Sequence, residues 1–140
     1  MSAALKQRGR IARVRRLQHG IAASTATAAA GELRNLELSR ERLTQMRGDL
    51  SAAPGMTSGA WLSSAGELAM RLDKARLGLT GSIDAARNVA AAREQERIQA
   101  RQSQESADKL RAKALRAAAD AADNRMSKIA RPGRKGMVQQ

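Results

Sequence analysis

The chain has 140 residues, with 26 Lys and Arg against 13 Asp and Glu, for a formal net charge of +13 at pH 7. One tryptophan with no phenylalanine, tyrosine or cysteine excludes a large aromatic core, disulfides and thiol chemistry. The length suits one domain, the Ala, Arg, Leu and Glu content marks a long helical protein, and no run approaches the ~18 consecutive apolar residues that span a bilayer.

Residues 1–31 hold six Lys and Arg, no acid, and the small-residue run Ile21 to Ala30, the outline of a targeting peptide. Ser24, Thr25 and Thr27 interrupt the run and it lacks the leucines of a secretory core, so it reads as the opening of a first helix. That helix is expected over about 3–48. Its seam can be threaded through Ile11, Val14, Gln18, Ile21, Thr25, Ala28, Glu32, Leu36, Ser39, Leu43, Met46 and Leu50, with one step that drifts from strict heptads. Gly9, Gly20 and Gly31 each cost about 1 kcal/mol in a helix interior, and fraying is expected near Gly9.

Gly48-Asp49-Leu50-Ser51-Ala52-Ala53-Pro54-Gly55 carries a loop signature, so the loop is placed at 49–57. A second helix follows over about 58–130. Thr57 or Ser58 serves as its N-cap in preference to the capping-box spacing at Ser64. Strict sevens from Trp61 give Leu68, Ala75, Ser82, Val89, Glu96, Ser103, Leu110, Ala117 and Asn124. Strict sevens from Ala65 give Leu72, Leu79, Ala86, Arg93, Ala100, Ala107, Ala114, Ala121 and Lys128. This seam, apolar or small at most positions, argues for a helix wound on a partner helix, on the order of 100 Å long at its rise per residue. Trp61 reads as the residue that seals the seam, and Gly78 with Gly81 as a kink candidate. Pro132-Gly133 ends the helix, and residues 131–140 read as a disordered basic tail. The fold class is all-α: a long antiparallel two-helix coiled-coil hairpin. A symmetric turn near Pro54 sets Ile11 opposite about Ala100, with helix two overhanging the start of helix one by roughly twenty residues. The same seam pattern serves a monomeric hairpin or a dimer of longer helices.

The charge is unevenly spread. Residues 1–20 carry +6, residues 109–140 carry nine Lys and Arg against Asp120 and Asp123, and residues 21–108 balance at eleven of each sign. Antiparallel folding joins the two basic segments into one cationic tip, which steers the protein toward an acidic or phosphate-bearing partner. Base-stacking aromatics and nucleic-acid-binding motifs are missing, and so are the aromatic anchors of membrane-surface helices. A rigid helical tip is best matched by an acid-lined protein socket. His19 stands beside Arg15 and Arg16 without a catalytic companion. No metal cluster, phosphate loop or nucleophile motif is present. The chain does not read as an enzyme, and no cofactor is called for.

In Ile11-Ala12-Arg13-Val14-Arg15-Arg16-Leu17, the mid-chain break, the segment Pro54-Gly55-Met56-Thr57-Ser58-Gly59-Ala60-Trp61-Leu62 leading into Leu68, Leu72 and Asp73-Lys74-Ala75, and the later Lys109-Leu110-Arg111, the chain resembles the FliJ family. These are the coiled-coil stalk proteins of the flagellar type III export apparatus, similar in outline to the stalks of virulence secretion systems. The resemblance covers roughly Arg10 to Arg131. It implies a cytoplasmic protein, peripheral at the inner face of the membrane, that binds the hexameric export ATPase with its paired ends and couples it to the export gate membrane protein. Export chaperones are further candidate partners. Carried over by position, the ATPase-binding residues are Arg10, Arg13, Arg15, Arg16, Lys109, Arg111, Lys113 and Arg116. The export-gate-binding stripe is Leu68, Leu72, Ala75 and Leu79, residues that also lie on the expected seam. The alternatives are a basic helical nucleic-acid-binding protein and a generic coiled-coil adaptor.

Overall fold

The computed structural model describes residues 2–52 and 58–130. Two long helices pack against each other, α1 (Ala3–Ala52) and α2 (Gly59–Ile129), with no strand among the described residues. The all-α hairpin expected from the heptads is what forms. Its N-caps follow ordinary rules: Ser2 Oγ accepts from the Leu5 amide at 3.2 Å and Ser58 Oγ from the Trp61 amide at 3.1 Å, each satisfying a donor the first turn leaves unpaired. Ser58, not Ser64, therefore starts α2. The helix α1 runs unbroken through Gly9 and past Gly48 to Ala52, and α2 through Gly78 and Gly81. The expected fraying at Gly9 and the early loop at 49–52 are thus replaced by helix, because tertiary packing outweighs the local propensity cost. The remaining expected loop residues, 53–57, and the expected tail, 131–140, lie outside the described residues.

The described residues pack as two compact units, one of residues 2–21 with 98–130 and one drawn from residues 22–52 and 58–97. In the first, a Cβ built on Gly9 would lie 3.9 Å from Arg111 Nε, and Arg16 Nη2 lies 3.8 Å from an Asp108 carboxylate oxygen. In the second, Arg87 meets Glu37 at 3.5 Å and Arg47 meets Asp73 at 3.3 Å. Rising numbers on α1 match falling numbers on α2, so the helices are antiparallel. The pairs centre near residue 61, not near Pro54. Ile11 accordingly shares a groove with Ala107 and Leu110 instead of Ala100, and α2 outruns the start of α1 by about ten residues, not twenty. Side-chain packing along the seam, which a symmetric-turn argument does not contain, sets this register.

The seam itself is a stricter heptad than expected. Along α1 the buried or half-buried positions include Leu5, Ala12, His19, Ala26, Leu33, Arg40 and Arg47, seven apart, with Ala29, Leu36, Leu43 and Leu50 as the second series. The expected N-terminal half of the seam is off by one position, since Val14 is 52% and Ile21 60% exposed. Along α2 the series from Ala65 holds through Leu72, Leu79, Ala86, Arg93, Ala100, Ala107 and Ala114, then stops, for Ala121 and Lys128 are exposed. The series from Trp61 starts half-buried at Trp61 itself and is then shifted by one: Ala69, Arg76, Ile83, Ala90 and Arg97 take the positions expected of Leu68, Ala75, Ser82, Val89 and Glu96, while Ser103 and Gln104 are both half-buried. Ile83 is fully buried, whereas Leu68 and Val89 are 43% and 48% exposed. Burying the β-branched Ile83 outweighs the shorter Ser82 by about 1.5–3 kcal/mol.

Several seam positions are arginines. Their aliphatic stems cover the seam while the guanidinium groups reach out to carboxylates: Asp73 accepts from Arg47 and lies 3.6 Å from Arg76, and Glu94 accepts from Arg97 Nε at 3.0 Å. The hydrogen bond from Arg97, joined by its charge, lowers the Glu94 pKa below its ordinary value and raises that of Arg97. His19 occupies a seam position with its Nε2 buried and without a hydrogen-bond partner, a costly arrangement.

Three outcomes follow for stability. Ile83→Ala lowers the unfolding free energy by about 2 kcal/mol, while Leu77→Ala, at a side chain 75% exposed, stays within about 0.5 kcal/mol; thermal denaturation followed by circular dichroism distinguishes them. His19→Leu removes the orphaned nitrogen and raises stability by about 1 kcal/mol in the same assay. A carboxyl-carbon NMR titration finds Glu94 below the usual glutamate range, and Arg97→Gln returns it there. Because the folded value is the lowered one, the contribution of this pair is present above the unfolded carboxylate pKa and fades as the pH falls through the folded value.

Candidate interaction surface

The basic residues sort by unit. Among described residues, the unit containing Ser2–Ile21 and Ile98–Ala130 holds thirteen Lys and Arg against four carboxylates (Glu105, Asp108, Asp120 and Asp123), while the unit of residues 22–97 holds ten against nine. All eight residues carried over as ATPase contacts, Arg10, Arg13, Arg15, Arg16, Lys109, Arg111, Lys113 and Arg116, fall in the first unit, and all eight are exposed.

Helical spacing distributes the cations to both sides of the seam. Lys6, Arg10 and Arg13, at steps of four and three, share one side of α1 and line a groove with Leu5, Gly9, Arg111 and Leu115. Arg8 and Arg15, with Ile11 between them, share the other side and line a second groove with Gln99, Gln102, Ser103, Ser106, Ala107 and Leu110. Neither lining contains a carboxylate. Among the described residues the cross-helix ion pair in this unit is that of Arg16 with Asp108, at 3.8 Å and with both side chains well exposed; such a pair contributes at most about 1 kcal/mol. Arg15 donates to the Gln18 amide oxygen at 3.1 Å, and no ion pair among described residues engages Arg10, Arg13, Lys109, Arg111, Lys113 or Arg116. Lys6 and Arg8 belong to the same two grooves and were missed by sequence reasoning. Their steps of four and of seven to Arg10 and Arg15 on a helix were the available signal.

The export-gate stripe does not form one exposed face. Leu72 is 6% exposed and Leu79 is half-buried in the seam, whereas Leu68 at 43% and Ala75 face outward. The most exposed large apolar residues of that part of α2 are Met70 and Leu77, at 74% and 75%, seven apart and so on one face.

Among the described residues no group of three or more His, Cys, Asp or Glu could hold a metal ion, and no helix is long and apolar enough to cross a membrane. Comparison with protein-family models, with curated proteins and with solved structures found no match to the chain.

The arrangement predicts a salt-sensitive surface whose removal leaves the fold intact. Arg10→Gln, Arg13→Gln and Arg15→Gln combined keeps the Arg16–Asp108 pair and retains the helical circular dichroism signal, while its elution from a cation exchanger shifts to clearly lower salt.

Proposed function

We propose that this protein is a coiled-coil stalk of a type III export apparatus, flagellar in type. Its basic unit binds the hexameric export ATPase, and the early part of α2 couples it to the export gate, aiding export of flagellar subunits. The observation that carries this reading is the crowding of exposed cations on both sides of the seam in one unit, with a single cross-helix carboxylate partner among described residues. Cations left without internal partners are available to an acidic surface, and association through them is fast and salt-dependent. The heptad hairpin supplies the scaffold, and the sequence resemblance to the FliJ family supplies the identity of the socket.

The eight exposed basic residues form the ATPase contact, with Lys6 and Arg8 joining them. On the gate side, Leu68 and Ala75 remain available, and Leu72 and Leu79 support them from the seam. In this reading the protein works in the cytoplasm, peripheral to the inner face of the membrane where the gate sits. Export chaperones bind the stalk as further partners.

The test is turnover of the cognate export ATPase with increasing protein at low and moderate salt. Saturable stimulation is expected, with the effective concentration raised about tenfold, equivalent to about 1.4 kcal/mol, by Arg10→Gln, Arg13→Gln and Arg15→Gln combined. No stimulation, together with retention on DNA that falls steeply with salt, would replace this reading by nucleic-acid binding.

A further inference from the structure

Where α2 outruns the start of α1, its seam positions cease to be covered. Ala114 and Ala118 are the last half-buried residues, and residues 119–130 are all exposed. An apolar stripe nonetheless continues: Leu115, Ala119, Ala122, Met126 and Ile129 follow at steps of four, three, four and three. That is a strict heptad a/d pattern. It is turned from the old seam by about one residue, roughly 100°, toward the side on which Leu115 lines a groove with Leu5, Lys6, Gly9, Arg10, Arg13 and Arg111. Leu115, Met126 and Ile129 are 47%, 69% and 72% exposed. The groove and the stripe therefore form one continuous track, apolar along its floor and flanked at the α1 end by four cations with no carboxylate in the lining.

We infer that this track is the docking site for an acidic amphipathic helix from another protein. Its apolar face would pack on Leu115, Ala119, Ala122, Met126 and Ile129, and its carboxylates would meet Lys6, Arg10, Arg13 and Arg111. The three-four spacing is what a partner helix reads. A lipid surface would want a broad apolar face with aromatic anchors, and this stripe is narrow, rich in alanine and without an aromatic. The same basic unit of a second copy would bring like charge against the four cations. Charge complementarity thus selects the occupant, and the small residues Ala119 and Ala122 allow its backbone to come close. The track shares Lys6, Arg10, Arg13 and Arg111 with the ATPase contact proposed above, but the inference does not rest on that reading, because it concerns the track and not the identity of the protein that supplies the helix.

The experiment uses the full chain and a labelled four-heptad peptide with leucine at a and d and glutamate at the flanking positions. Fluorescence anisotropy follows binding at nanomolar peptide, and a control peptide carries lysine in place of glutamate. Saturable binding of the glutamate peptide alone is expected. Both Met126→Ser with Ile129→Ser and Arg10→Glu with Arg13→Glu should weaken it at least tenfold. Circular dichroism confirms that each variant keeps its helicity, which side chains so exposed permit. Four outcomes would overturn the inference: no binding of the glutamate peptide, equal binding of the lysine peptide, loss on the arginine substitutions with none on the Met126 and Ile129 substitutions, or a dimer in sedimentation that dissociates on those last two, which would make a second copy the occupant.

Discussion

The seam between α1 and α2 is the constraint on which everything else rests, and it is thinly furnished. Its buried apolar residues are Leu5, Ala12, Ala26, Leu72, Ile83 and Ala107, half of them alanines that bring little area out of water. What the seam lacks in large side chains it makes up with half-buried arginines. The stems of Arg47, Arg76 and Arg97 cover the apolar line, and their heads reach Asp73 and Glu94. A seam built this way is specific before it is strong. The large buried side chain Ile83 and the cross-helix carboxylates each accept few neighbours, so a slip of one heptad would cost contacts that alanines alone would not miss.

That register has a consequence for the cations. Antiparallel pairing joins the first turns of α1 to the turns of α2 that carry Lys109, Arg111, Lys113 and Arg116, and both are rich in Lys and Arg. Acids could have been set across from them, as Asp108 is set across from Arg16, but the grooves on both sides are lined with Gln, Ser, Ala and Leu instead. Repulsion among these cations destabilises the protein modestly, and an anionic surface bound there would relieve it. The orphaned His19 Nε2 lies in the same unit, a second place where packing falls short of its best.

Helix identity, helix count and orientation were legible in the sequence because they depend on local rules: the absence of proline over long spans, the serine caps, and a heptad recurrence that survives alanine dilution. The sevens from Ala65 to Ala114 mark the buried line on α2 without displacement. The companion series failed by one residue because arginine counts as polar in any hydrophobicity pattern, which hid Arg76 and Arg97 as seam positions and made Val89 look like the better choice. The same blindness displaced the early seam of α1, where Val14 and Ile21 are apolar yet exposed, and where the true positions are alanines and a histidine.

By itself, then, the sequence determined two helices, their antiparallel sense and the gathering of basic residues, since each follows from periodicity, turn chemistry and charge order along the chain. Only the tertiary structure decided the register. Pairs centred near residue 61, such as Arg47 with Asp73 and Arg16 with Asp108, belong to the packed seam, and no symmetric-turn argument contains that information. Register in turn fixed which cations line which groove, took Leu72 and Leu79 into the seam, and left the turns after Ala118 uncovered. These are properties of two surfaces meeting, and a single helix, read alone, carries only its own half of the fit.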